Sequence, residues 1–369
     1  MYKVFSFVSI LIFLSGGLEG LFVDAREEEK NIRYKNELTL DFPVAKINNK
    51  VIYDEVEKKN VTLYQYISDK GFPVYYSRNV STGVCYDNQC KQLNITLYWN
   101  PTGRYLGFEL PEKEFLSKDD HVPFTEEEYI RLNKLLSDPK LPLGDFTYNQ
   151  IAAKNKAALY SVDGVSGATS KDVLEYVIKG SAYTTYTIYE LVYGATQSEV
   201  ESWTNQVLTD EFLEDILTES PYQDKLWVID LIQGRLSYFS QSRDIVLDLM
   251  KSDDFSLAEK SLNSLIAEDL MDEEVQIKLM GEFHDFDFGM KSRTLSLLKN
   301  ANYISPKVVE ILNDDIEDME VPIIAAILDI YKAKGIKDSK TIAAARKISD
   351  SDNRYLAKKA EDYIQMLNQ

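Results

Sequence analysis

Cysteine, histidine and positive charge are all scarce in this chain. Of its 369 residues only two are cysteine, Cys85 and Cys90, and only two are histidine, His121 and His284. Side chains so few and so scattered do not assemble the ligand set of a zinc site. Lysine and arginine total 41 against 60 carboxylates, a formal charge of -19. An anionic chain of this kind does not bind nucleic acid or an anionic membrane by bulk electrostatics. Long apolar runs are missing beyond Leu18, and there is no nucleophile elbow, Walker loop, dinucleotide fingerprint or metalloprotease helix. Those absences remove the usual hydrolase, NTPase and dehydrogenase signatures. What is present is 44% hydrophobic residues, enough for ordinary folded cores, in a length that suits about two or three domains.

The one apolar run stands at the start. Lys3 provides a short basic region, Val4–Leu18 (VFSFVSILIFLSGGL) is of signal-peptide length, and Val23-Asp24-Ala25 offers small residues for cleavage before Arg26. Residues 1–25 are therefore expected to be a signal peptide and the protein extracytoplasmic, periplasmic or secreted. An uncleaved anchor is the alternative, for which the run is short. No cysteine lies near the cleavage site to take a lipid. Loss of Lys3, Glu19 and Asp24 raises the charge by one, so the mature chain stays acidic at -18.

In an exported chain the close pair in VCYDNQCK, Cys85 and Cys90, suits a disulfide across the polar turn Tyr86-Asp87-Asn88-Gln89. A redox-active dithiol exchanging electrons with a neighbouring cofactor fits the same spacing.

The chain divides by pattern. Residues 26–36 are charged and expected to be mobile. Residues 37–197 read as an α+β domain. In it Leu93–Tyr98 and Tyr105–Leu110 flank Asn100-Pro101-Thr102-Gly103, the residue order of a type I turn, so this is a hairpin. Thr125-Glu126-Glu127-Glu128 is a capping box for a helix burying Tyr129, Leu132, Leu135 and Leu136, ended by Pro139 and Pro142. A further helix is expected from about Lys171 to Tyr193, with its second half weakened by the run TTYTIY.

Residues 198–369 read as all-α. Helical patterns run over 222–235, 243–251, 256–270, 273–285, 288–300, 306–315, 321–334, 339–348 and 353–366. Alternate ones start near 222, 256, 288, 321 and 353, the period of paired-helix repeats. Apolar residues fall at helical spacing, as in Val275, Leu279, Phe283 and in Ile324, Leu328, Tyr331. The expectation is a stack of helical hairpins resembling HEAT-type repeats, with a non-repeating bundle as the alternative.

The densest cluster of small and hydroxyl residues is VDGVSGATSKDV, residues 162–173. Glycine lets a backbone approach phosphate oxygens, and a helix N-terminus following it supplies free N–H groups and a positive dipole end. Gly164, Gly167, Ser166, Thr169, Ser170 and Lys171 have that chemistry. A plain turn and helix cap would use the same residues.

The order Asp163-Gly164-Val165-Ser166-Gly167-Ala168-Thr169 resembles the D-x-x-S-G-A-T signature of covalent FMN-binding domains. Five fixed positions match by chance about once per million placements at average residue usage. In that family a flavin transferase, using FAD and a divalent metal, joins FMN through its phosphate to the hydroxyl of the final threonine. The resemblance implies FMN on Thr169, with Asp163, Ser166, Gly167 and Ala168 shaping the recognised loop. It also implies electron transfer with a redox partner protein or a quinone-linked system. Two features depart from the family: Lys171 stands where many members carry a second threonine, and the E-T-P-G-like loop that precedes the motif in the pump subunits is missing. The fold expected is thus an α+β FMN-binding domain followed by an all-α, HEAT-like domain. A scaffold protein without flavin is the competing reading.

Trp99, Tyr105 and Tyr160 are among the 24 tyrosines and other aromatics that could stack on a flavin ring, and ordinary core or strand packing is the better account of each. His121, beside Lys118, Asp119 and Asp120, suits a proton relay or a solvated loop. His284 in FHDFDF reads as a structural histidine.

Overall fold

The computed structural model describes residues 32–82, 93–118, 121–147, 150–151, 173–314 and 316–367. Its first part is a six-stranded antiparallel sheet: β1 (Arg33–Lys35), β2 (Val44–Asp54), β3 (Lys59–Ser68), β4 (Pro73–Thr82), β5 (Leu93–Trp99) and β6 (Tyr105–Glu109), in the order β1-β6-β5-β4-β3-β2. Strand alternation decides which face is covered. On β5, Leu93, Ile95, Leu97 and Trp99 are buried, and the intervening Asn94, Thr96 and Tyr98 face outward. The expected hairpin is β5–β6, closed by Gly103 N–H donating to Asn100 O at 3.0 Å.

Helices cover the inner face. In α1 (Glu126–Leu136) the capping box is complete: Thr125 Oγ1 accepts from Glu128 N–H, and Glu128 Oε2 accepts from Thr125 N–H. Tyr129, Leu132 and Leu136 point into the core. With α2 (Ala182–Tyr193) and α3 (Ala195–Asn205), α1 closes one hydrophobic core on the sheet, including Tyr76, Trp99, Phe108, Ile188 and Val200. Helix α3 runs across residue 197, so this core takes in residues beyond it.

Two expectations are corrected here. Arg33–Lys35, placed in the mobile segment, form β1 on the sheet edge. Tyr34 packs on Phe108 and Tyr129, with ring centroids 5.2 and 6.2 Å apart, which one aromatic among charges does not signal in sequence. Gly107 makes that edge possible, since a Cβ there would lie 2.1 Å from Tyr34 O. The helix expected over 171–193 is reversed in its halves. Val173–Tyr176 is a 3-10 turn, Gly180 at φ +74° breaks the chain direction, and the threonine-rich half is the helix. Thr185 explains it: its hydroxyl donates to Ser181 O at 2.8 Å and accepts from Ile178 N–H at 3.2 Å, so a poor helix former ties the first turn to the preceding loop.

The second part is all-α: α4 (Asp210–Glu219), α5 (Tyr222–Ile232), α6 (Ser240–Leu249), α7 (Phe255–Ser264), α8 (Glu273–Gly281), α9 (Phe288–Asn300), α10 (Pro306–Asp314), α11 (Val321–Lys334), α12 (Ser339–Ser349) and α13 (Arg354–Leu367). They pack in two rows. Even-numbered α4 to α12 follow one another in one row, odd-numbered α5 to α13 in the other. The odd row starts at 222, 255, 288, 321 and 354, each 33 residues after the last. Val275, Leu279, Phe283, Ile324, Leu328 and Tyr331 are all buried in a second core between the rows. Ion pairs bridge successive turns of the array, such as Lys260–Asp230, Lys340–Glu310, Lys347–Glu317 and Lys359–Asp329, each joining residues 30 apart.

The two parts touch through a defined contact. Leu40 and Phe72 belong to the array core, Phe72 lying 4.8 Å from the Phe212 ring. Buried Asp224 on α5 accepts from Thr102 Oγ1 at 2.8 Å and from Arg104 Nε and Nη2 at 3.1 and 2.6 Å. The β5–β6 turn is thereby fastened to the array. Among the described residues, no helix is long and apolar enough to cross a membrane.

Candidate functional site

The residues singled out by sequence, Asp163, Gly164, Ser166, Gly167, Ala168, Thr169 and Ser170, lie outside the described residues. So do Cys85, Cys90 and Tyr160. The structure does fix what stands on either side of them. Before the motif, Ile151 is fully buried in the sheet core. After it, Val177 and Ile178 are buried in the same core, and Arg131 Nη2 donates to Glu175 O at 2.7 Å. The motif-bearing stretch is therefore fastened at both ends. The cysteine-bearing stretch joins Thr82 to Leu93, which pair across β4 and β5.

One part of the phosphate argument is corrected. Among the described residues, the first α-helix after the motif starts at Ala182, and its N-cap Ser181 makes no side-chain cap. The 3-10 turn at Val173–Tyr176 and the turn at Gly180 precede it, so no single α-helix runs from 173 to 193.

The stacking candidates that are described are core residues. Trp99 is fully buried and donates from Nε1 to Val192 O at 2.9 Å; Tyr105 is buried and donates to Asn133 Oδ1 at 3.0 Å. Neither presents a ring face to a ligand. His121 is exposed in a left-handed turn at φ +64°, its N–H donating to Lys118 O, while Lys118 pairs with Glu128 at 2.7 Å. His284 is exposed, edge-on to Phe283 with centroids 6.0 Å apart.

The structure also assembles two groups that sequence reading missed. On the outer face of the sheet, Tyr66 and Tyr75 stack at 4.2 Å with planes 19° apart, and Tyr98 meets Tyr75 edge-on at 6.1 Å. Lys35 Nζ lies 5.3 Å from the Tyr75 centroid, and Arg33 Nε 3.5 Å from Glu109 Oε2. Tyr98 donates to Glu109 Oε2 at 3.1 Å, and burial together with that carboxylate holds its phenol well above the ordinary range. Such a face can stack a planar ring or a sugar. Its signal in sequence was the outward phase of three strands, readable only once their register is known.

The second group is inside. Arg78 is fully buried on β4, donating to Asp54 Oδ2 at 2.6 Å and also to Glu57 and Thr196. Lys59 Nζ approaches Glu57 Oε1 at 2.9 Å from the surface. The charges balance and the guanidinium pins the β2–β3 turn against α3, which is a structural role.

No family model, no curated protein and no solved structure matches this chain.

Proposed function

We propose that the protein is an extracytoplasmic electron-transfer flavoprotein carrying FMN on Thr169 through a phosphoester. The observation that carries this reading is the order Asp163-Gly164-Val165-Ser166-Gly167-Ala168-Thr169. The fit rests on donor chemistry: Thr169 has the hydroxyl that such a linkage requires, and its neighbours in sequence, Ser166, Gly167, Ala168 and Ser170, are small. When bound, the flavin supplies one- and two-electron chemistry, and the chain supplies attachment and surroundings. A covalent tether suits an exported protein, since a dissociable cofactor would be lost outside the cell. In this reading residues 1–25 are the export signal, a flavin transferase completes the protein, and the α-helical array docks a redox partner protein or a quinone-linked system.

The test is mass and colour after denaturation. Protein produced with an active flavin transferase should gain the mass of one FMN less water and fluoresce in a denaturing gel, and Thr169→Ala should lose both. A colourless band of unmodified mass sinks the reading.

A second reading is favoured by the helical array itself. Its two rows and constant 33-residue step support HEAT-like repeats. Such an array is a scaffold that binds other chains, whether or not flavin is attached.

A further inference from the structure

The odd-numbered row of helices repeats more than its core. At or next to the first residue of each helix stands an exposed apolar side chain: Tyr222 (36% exposed), Phe255 (55%), Phe288 (50%), Val321 (40%) and Tyr355 (56%). Single exposed apolar residues are ordinary. Recurrence at one structural position every 33 residues, over five consecutive helices, is not explained by helix formation, because the first helical position has no need of an apolar residue. An acidic residue stands within three positions before each: Glu219, then Asp253 and Asp254, Asp285 and Asp287, Asp318 and Glu320, and Asp352, although Arg354 directly precedes Tyr355. Asp254 and Asp287 are used as caps, accepting from Leu257 and Met290 N–H. The carboxylates of Asp253 and Asp285 have no hydrogen-bond or ion-pair partner among the described residues.

Between two of these positions the surface is hollowed. A groove of about 400 Å³ has Met250, Phe255, Phe286 and Met290 in its lining, with Asp253 and Asp285 at its rim. Lys251, the cation beside it, is spent on Glu282 at 2.8 Å. The groove therefore joins apolar lining to unneutralised carboxylates.

We propose that this edge of the array is a docking strip for an extended segment of a partner protein, with an apolar residue at every third position and lysine or arginine between. The spacing sets the period. Helices in one row pack roughly 8–10 Å apart, and a polyproline-type segment rises about 3.1 Å per residue. Three residues of such a segment span one step of the array, placing its apolar side chains beside successive anchors. Charge complementarity sets the composition, because the rim offers carboxylates without cations. The proposal gives the docking role of the array a partner chemistry, and it rests on the array alone, not on flavin at Thr169.

The experiment uses the full mature chain and a labelled peptide of repeated Leu-Lys-Pro triplets, followed by fluorescence anisotropy. Leu-Lys-Pro should bind, and Ser-Lys-Pro and Leu-Glu-Pro peptides of equal length should not. Phe255→Ser with Phe288→Ser should weaken binding about tenfold or more, while circular dichroism shows the helices intact. Asp253→Lys with Asp285→Lys keeps the apolar anchors and should move the preference toward Leu-Glu-Pro, an exchange that misfolding cannot produce. Equal binding of Leu-Lys-Pro and Ser-Lys-Pro overturns the proposal, as does indifference to both double variants. Sedimentation showing self-association that Phe255→Ser/Phe288→Ser abolishes would assign the strip to a second copy of the chain, and would overturn it too.

Discussion

Arg78 concentrates the residue-scale physics of the sheet. One buried guanidinium serves two carboxylates whose side chains are almost completely covered, Asp54 and Glu57. Removing it leaves Asp54 without a cation and Glu57 with only Lys59, whereas neutralising all three groups leaves no buried charge. Arg78→Met should therefore cost about 3–5 kcal/mol, and Arg78→Met with Asp54→Asn and Glu57→Gln should recover a substantial part. Urea denaturation of the three proteins measures this; a single variant as stable as the parent would show that the carboxylates are not dependent on Arg78. Nothing in the string YYSRNVST marks this arginine, because its partners lie 21 and 24 residues earlier and meet it only through strand pairing. By contrast, the Thr125 box and the Asn100–Gly103 turn were legible, since each closes over three residues.

Among elements, the array was the most legible and the helix following the Asp163–Thr169 stretch the least. Capped, amphipathic helices carry their own signals: Asp254, Asp272, Asp287 and Asp338 each cap a helix whose start was readable. Helix α9 spans 288–300 and α11 spans 321–334, as the pattern predicts. Helix α3 was hidden because two of its buried positions are threonines, Thr196 and Thr204, which read as polar. Helix α4 had a readable start in Thr209, whose side chain accepts from Phe212 N–H, so the array begins before the first expected helix at 222. For α2, propensity pointed one way and tertiary hydrogen bonding of Thr185 the other, and the tertiary term won. The caps themselves are open to test. Asp254→Ala and Asp287→Ala should each cost about 1 kcal/mol, and the double variant should be additive, since each cap bonds only its own helix. Denaturant midpoints decide it. A negligible effect at both sites would mean water replaces the carboxylates at no cost.

At the scale of the whole molecule, the sheet and the array are joined by polar groups that no local pattern announces. Asp224 on α5 finds Thr102 and Arg104, 122 and 120 residues earlier, and within the sheet part Tyr76 bonds to Gln65 at 2.8 Å and to Thr204 at 3.0 Å. Tyrosine burial extends through both parts and gives the fold an alkaline limit. Desolvation pushes Tyr76, Tyr129 and Tyr189 in the sheet part, and Tyr363 in the array, up to about 12 from an ordinary value of 10.0. Burial also raises Tyr105, Tyr193 and Tyr331. A phenol with a raised folded value keeps its proton longer when folded, so above pH 10 the unfolded chain binds fewer protons than the native one. The stability these groups contribute is complete below pH 10 and is lost as pH rises toward 12. A spectrophotometric titration should therefore show the buried set released together, above the ordinary phenol value, as ellipticity collapses. Because Asp224 and the shared Phe72–Phe212 contact couple the two parts, both should release tyrosinate over one pH interval. A smooth titration of all 24 tyrosines with the helices still intact would show that the phenols in both cores reach water without unfolding.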